Sequence, residues 1–348
     1  MKVAIIIPTM NRPDFISRQF EFYELTDSPH PIYISDSSNE ENAEKLKKEI
    51  SKFKKLNITY QWAPPGKDCL YQLLPLVKEK YCIQMGDDDI MIPKTISECA
   101  DFLEEHSDYG TCLGKQVNVR FQREDYNKPF GIIERQTRPF GRSLEDEDML
   151  LRIKNFWSSL VFIGFAVRRV ETEKTIRNIT KNFSLMEGML ELVLLSLLVI
   201  SGKCKVLDKL GYVMQVSDNR YPFIHNLAVE MILEPAFGEK WSICEKGFLE
   251  VMRGKGKPEE ESLKIVKWLF TIFLAYRLSR ESGEYSDVVI QADAPAKKSL
   301  YKKVRGLISK HHKIKKLFYK FKLLAGASNV ESAYFKDFEI VKNFLESR

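Results

Sequence analysis

The feature that most constrains this chain is an alternation of short apolar runs and amphipathic stretches over roughly its first ninety residues. Val3 to Ile7 is a continuous, mostly β-branched run, the pattern of a strand buried on both faces of a parallel sheet. Pro8 ends it, and Pro13 fits the first turn of a helix reading Asp14 to Leu25. Pro31 to Asp36 predicts a second strand. Ser38 and Glu41 have capping-box spacing and open a helix running to about Phe53. A third strand over Ile58 to Trp62, a helix from about Lys67 to Glu79 and a fourth strand over Tyr81 to Met85 complete the series. The alternation predicts an α/β fold with a Rossmann-like, doubly wound, mostly parallel sheet. Ligands of such sheets sit beyond the carboxyl ends of the strands. Pro8, Thr9, Asn11, Arg12, Asp36, Gly66 and Lys67 all fall there, distant in sequence and convergent in space.

The fourth strand runs straight into Gly86-Asp87-Asp88-Asp89. Three adjacent carboxylates repel one another, and a hard divalent cation such as Mg²⁺ or Mn²⁺ makes their crowding tolerable while sharing its other positions with water and phosphate. In an extended backbone Asp87 and Asp89 would point to one side and Asp88 to the other. A solvated acidic turn is the plain alternative. The first strand is followed by Pro8-Thr9-Met10-Asn11-Arg12, without the Gly-x-Gly-x-x-Gly of dinucleotide folds, and no Walker loop is present. A nucleotide diphosphate held through a metal remains, with the backbone near Thr9 and the side chains of Asn11 and Asp36 around base and ribose.

Pro8-Thr9, Asn11, Asp36 and Asp87-Asp88-Asp89, in this order and register, resemble the nucleotide-binding half of a family 2 glycosyltransferase with the GT-A fold, of the kind that builds bacterial envelope polysaccharides. The resemblance implies that Asp36 reads the nucleobase and that Asp88 and Asp89 bind the metal, with Asp87 substituting for an acid where the family pattern places one and this chain has Gly86. It also implies a catalytic carboxylate at the start of a later helix. Ser184 to Glu191 opens such a helix, ending near Ser201-Gly202; Glu187 matches the acid, Gly188 stands where the family has Asp, and Glu191 lies one turn on. Ser184 and Glu187 equally have capping-box spacing. By the same resemblance His225 would complete the metal shell. Arg220 and Lys67 could neutralise a departing diphosphate, although both types are commonly mere surface residues. Trp157 could stack a sugar, but its apolar neighbours point to core packing.

The chain has 348 residues, enough for one large domain or a catalytic domain with an appendage. The expected division is a catalytic domain over 1–225, with a nucleotide-sugar half over 1–92 and an acceptor half over 93–225, followed by a helical region over 226–348. The six cysteines show no CxxC pair and no metal spacing, which predicts buried free thiols in a reducing compartment. No apolar stretch reaches the ~18 residues of a membrane span. Charge is uneven: residues 294 to 330 hold eleven Lys/Arg and no Asp or Glu, so the formal +6 of the chain leaves −5 for the remainder. Within that segment Leu300, Val304, Leu307, Ile314, Phe318 and Phe321 form an apolar stripe, and a basic amphipathic helix over 297–325 suits an anionic bilayer surface. Docking on the protein body or on a partner helix are the other readings. Nucleic acid is not expected, because no recognition module accompanies the patch.

The expectation is therefore a metal-dependent, inverting glycosyltransferase, cytoplasmic and peripheral on the inner face of the membrane. It would move a sugar from a UDP-linked donor to a glycan or lipid-linked acceptor with Mn²⁺ or Mg²⁺. A non-catalytic carbohydrate-binding scaffold and a sugar-1-phosphate nucleotidyltransferase remain as alternatives.

Overall fold

A computed structural model describes residues 1–64, 69–125, 127–159, 163–180, 187–216, 228–284 and 332–348. The described chain runs β1 (Ala4–Thr9), α1 (Pro13–Leu25), β2 (Ile32–Asp36), α2 (Glu40–Ile50), β3 (Ile58–Trp62), α3 (Cys69–Leu73), β4 (Tyr81–Gln84) and β5 (Asp89–Met91). It continues with α4 (Pro93–Glu105), β6 (Tyr109–Phe121), β7 (Ile133–Gln136), α5 (Met149–Ser159), β8 (Val167–Arg169), α6 (Val170–Thr180), α7 (Glu187–Ser201) and β9 (Lys203–Gln215). Four helices follow: α8 (Ala228–Leu233), α9 (Phe237–Gly254), α10 (Glu259–Glu284) and α11 (Ser332–Leu345).

The strands form one sheet in the order β3-β2-β1-β4-β8-β6-β9-β5, with β7 on β6. The first four are mutually parallel, and the β6–β9 pairing, the longest in the sheet, is parallel too. β8 is antiparallel to both β4 and β6, and β5 is antiparallel to β9. This is the expected α/β architecture, with a mostly parallel sheet and C-terminal helices. Ile5, Ile6 and Ile7 of β1 are fully buried, as a central parallel strand covered on both faces requires. Gly114 and Gly211 let β6 and β9 approach: a Cβ on Gly114 would lie 2.6 Å from the Gly211 Cα.

Local chemistry moves two expected boundaries. The cap of α2 is Asn39, whose side chain accepts from the Asn42 N–H at 2.9 Å; Ser38 Oγ instead accepts from the Asn11 N–H at 2.7 Å. The helix expected from Lys67 to Glu79 is a short α3 over Cys69–Leu73 followed by a 3-10 turn at Leu74–Leu76. Pro75 inside that turn removes the N–H an α-helix would need.

One apolar core joins the sheet to the late helices, since Phe248, Phe273, Val341 and Leu345 belong to the same buried cluster as Ile5 and Val213. Trp157 is core, as its neighbours suggested: 2% exposed and packed edge-on against Phe156 and Phe273. The α11 helix returns to the first helix. Phe344 packs on Phe22 and on Phe130, the Leu345 carbonyl accepts from the Gly131 N–H at 3.0 Å, and Arg348 pairs with Glu21 at 2.8 Å. All six cysteines are free and buried. Among the described residues no helix is long and apolar enough to cross a membrane. The basic segment 297–325 lies outside the described residues.

Candidate functional site

The sheet order reverses direction between β1 and β4, which makes the gap beyond their carboxyl ends a topological switch point. Thr9 ends β1 and Asp87 follows β4, and the Thr9 hydroxyl donates to Asp87 Oδ2 at 2.8 Å across that gap. The acidic run is not extended. Asp87 and Asp88 form a turn and only Asp89 begins the next strand, so Asp87 and Asp88 face the same partner rather than opposite sides. That partner is Arg12, whose Nη1 donates to Asp87 Oδ1 at 2.6 Å and to Asp88 Oδ2 at 3.3 Å.

Gly86 shapes this turn. A Cβ there would stand 3.0 Å from both Asp88 Oδ1 and Asp89 Oδ2, so a side chain at 86 would press on two carboxylates that converge over the bare glycine. Gln19, on α1, fastens the turn from beneath, its amide nitrogen contacting the carbonyl oxygens of Gly86 at 3.3 Å, Asp87 at 3.2 Å and also Asp89. Asp89 Oδ1 accepts from the Gln215 N–H at 3.2 Å, which locks β5 to β9. Under the aspartates lies Arg18, fully buried, its Nη1 donating to the Pro129 carbonyl at 2.5 Å and to Gln215 Oε1 at 2.6 Å. Its Nε and Nη2 have no partner among the described residues.

The electrostatics follow from burial. Desolvation raises the Asp87 acid to about 6, with Arg12 opposing the shift and Asp88 adding to it. Desolvation and the neighbouring Asp88 likewise raise Asp89 well above the carboxylate range. Burial lowers Arg18 to about 10, against the pull of Asp88, Asp89 and Asp87. Three carboxyl groups thus face two arginines, and burial makes two of the three harder to ionise than a free carboxylate, a cost that a cation arriving from outside would relieve.

This donor set fits a hard divalent cation in one form. Asp88 Oδ1 and Asp89 Oδ2 turn toward the space over Gly86, and Mg²⁺-type ions are commonly held by one or two carboxylates with water and substrate phosphate completing the shell. Among the described residues no group of three or more ligating side chains is gathered, so these residues offer a foothold and not a cage.

The other expected site residues divide clearly. Asn11, at φ +57°, occupies the left-handed region that Asn tolerates, and its Oδ1 accepts from the Asn39 N–H at 3.0 Å. Asp36 is fully buried with both oxygens engaged, Oδ1 by the Ser38 N–H at 2.8 Å and Oδ2 by the Tyr60 hydroxyl at 2.7 Å. Both residues thus build the crevice wall, tied together through Ser38. Pro8, on β1, pairs in register with Ser35. Glu187 is the first residue of α7, and its side chain lies outside the described residues. Glu191 lies 3.8 Å from Arg277 and is 40% exposed. Lys67, Arg220 and His225 lie outside the described residues. Sequence reasoning missed Arg18, Gln19 and Gln215. Arg18 and Gln19 are polar positions on a helix otherwise packed by Phe15, Ile16 and Phe20, and nothing local marks them as buried. Beside Arg12, a depression of about 520 Å³ is lined by Asn11, Phe15, Asn42, Lys45 and Asn127, among others.

No family model and no curated protein matches the chain. Among solved structures, the chain is similar to S. aureus TarS 1-349 at 16% identity and a TM-score of 0.44, covering 82% of this chain and 92% of that one. The TarS 1-349 complex with UDP-GlcNAc aligns at 16% identity and a TM-score of 0.43. A longer TarS chain is matched over 43% of its length. The mannosyltransferase PcManGT from Pyrobaculum calidifontis, solved with GDP-Man and Mn²⁺, aligns at 12% identity and a TM-score of 0.40, covering 94% of this chain and 86% of that one. Likeness at this level assigns no activity.

Proposed function

We propose that this chain is a metal-dependent glycosyltransferase that takes a sugar from a nucleotide-diphosphate donor, UDP-linked, and transfers it with inversion to a hydroxyl of a glycan or lipid-linked acceptor. The observation that carries the reading is the aspartate turn at the switch point, with Asp88 and Asp89 oxygens converging over Gly86. When bound there, Mn²⁺ or Mg²⁺ would supply electrostatic stabilisation of the departing diphosphate. Thr9 positions Asp87 through its hydroxyl, Asn11 and Asp36 fix the wall against which the nucleoside would lie, and Gln19 keeps the turn from relaxing. In the reaction the acceptor oxygen forms a bond to the anomeric carbon as the bond to the phosphate oxygen breaks. The diphosphate leaves with the electron pair, and the acceptor proton passes to a carboxylate, for which Glu187 is the candidate and Glu191 the second choice.

The catalytic unit in this reading is 1–225, with 226–348 as a helical region whose basic segment 297–325 would rest on an anionic membrane surface. A carbohydrate-binding scaffold without turnover is the competing reading, fed by Gly86 and Gly188 standing where the family pattern has acids. The deciding experiment is a calorimetric titration of UDP with and without Mn²⁺ into wild type and Asp88→Asn. Mn²⁺-dependent UDP binding that the variant loses supports the proposal; equal binding by both proteins overturns it.

A further inference from the structure

The two cations at the aspartate turn are held in different ways. Arg18 is fixed: it is fully buried and its Nη1 is committed to Pro129 and Gln215. Arg12 is 28% exposed at its side chain, borders the depression beside Asn11 and Lys45, and rests its guanidinium 3.8 Å from the centroid of the Phe15 ring. Its grip on the two carboxylates is unequal. The Nη1 bond to Asp87 is short at 2.6 Å, and Asp87 is further secured by Thr9. The contacts to Asp88 Oδ2 are long, 3.3 Å from Nη1 and 3.4 Å from Nη2, and Asp88 is 20% exposed. Asp88 meanwhile presents Oδ1 to the space over Gly86, where Asp89 Oδ2 also points.

We infer that Arg12 is the resident counter-cation of Asp88 and a competitor of the divalent ion, releasing Asp88 to pair instead with the diphosphate of the donor. The inference rests on the metal-dependent reading above. A divalent ion at Asp88 Oδ1 and the Arg12 guanidinium at Oδ2 repel across one carboxylate, so each weakens the hold of the other. A guanidinium displaced from a carboxylate carries a planar donor fork that matches phosphate oxygens equally well. The Phe15 face gives Arg12 a fixed pivot, so the exchange needs a side-chain movement and no change in the backbone. Loading by ion and by nucleotide would then be coupled through one residue.

The test is a pair of titrations on the full chain: Mn²⁺ followed by the loss of its free paramagnetic resonance signal, and UDP followed calorimetrically at saturating Mn²⁺. Removing the competing charge in Arg12→Gln should tighten Mn²⁺ binding without nucleotide about tenfold, and should weaken UDP binding by a similar factor. Arg12→Lys, which keeps the charge, should follow wild type in both directions more closely than Arg12→Gln does. A purely structural Arg12 would weaken both affinities together. If Arg12→Gln shifts both in the same direction, or neither, this inference is overturned and the metal reading stands. If neither protein binds Mn²⁺ with or without UDP, the metal reading fails and takes this one with it.

Discussion

Two clusters of buried charge border β4, and their ratios of carboxyl group to guanidinium are opposite. Around Glu173, two guanidinium groups serve one carboxylate, Arg168 Nε at 2.7 Å and Arg177 Nε at 2.8 Å. Arg168 Nη1 also reaches the Gly164 and Ala166 carbonyls, both at 3.0 Å, and Arg177 Nη2 reaches Gln84 Oε1 at 2.7 Å. Desolvation pushes the Glu173 acid up, but the attraction and hydrogen bonds of the two arginines outweigh it and hold the acid at about 2. Around Asp87 to Asp89 the ratio reverses, three carboxylates to two arginines, and burial wins: Asp87 rises to about 6. A cluster whose carboxylate is engaged from two sides ties helices to strands. One whose carboxyl groups outnumber its arginines and are held back from ionising at a strand end is instead suited to receive a cation from outside.

The comparison is tested most severely at Glu173. Glu173→Gln leaves Arg168 and Arg177 buried without a counter-charge and should cost about 3–5 kcal/mol in urea unfolding at neutral pH. Because the folded-state acid is depressed, its contribution is fully present above the ordinary value of 4.5 and is lost as pH falls from there toward about 2; the variant should lack that acid limb. A loss below about 1 kcal/mol would remove the distinction between the clusters. At the other cluster the sign should invert. Asp89→Asn keeps an oxygen to accept from the Gln215 N–H while removing an acid whose charged form burial disfavours, and should raise stability by about 1 kcal/mol in thermal melts at neutral pH. Destabilisation of that size would place both clusters in one class.

His30 extends the comparison to a buried group with only cations nearby, and its effect should be the smallest. Its Nδ1 accepts from the Val3 N–H at 3.1 Å and its Nε2 lies 2.9 Å from the Pro93 carbonyl, which requires the neutral ring with its proton on Nε2. Burial lowers its pKa from 6.5, and the N-terminal amine and Lys2 push the same way. The unfolded chain therefore takes up the proton first, and stability should fall as pH drops below 6.5, levelling off below the folded-state value. The loss is worth about 0.5 kcal/mol, on the scale of one hydrogen bond. A pH titration of unfolding in wild type and His30→Gln checks it, the slope being absent from the variant; equal slopes would assign it elsewhere.

These clusters also mark how far the residues could be read unaided. The aspartate run announces itself because its members are adjacent, and Thr9 and Arg12 follow from their place after a strand that β-branched residues identify. The Glu173 cluster gave no sign. Arg168 and Glu173 lie across a strand-to-helix junction, and in a sequence their charges look like an ordinary solvated surface. Asp36 shows the opposite limit. Its position at a strand end was legible, but its full burial under Tyr60 and Ser38 depends on how β3 and the turn into α2 close over it. Asp87 and Asp88 were expected on opposite sides of an extended segment; the turn that Gln19 holds puts both against Arg12.

By itself the sequence determined the parallel half of the sheet, β1 to β4 with α1 and α2, and the arrival of three carboxylates at a strand end. Each of those elements carries in its own residues the pattern of the face it buries. Only the tertiary structure decided that β8 inserts between β4 and β6, that β5 crosses to pair with β9, and that α11 returns to the flank of α1. It likewise placed Arg18 and Gln215 beneath the aspartates. Such contacts join segments far apart in the chain, and a partner that distant leaves no periodic trace in either segment.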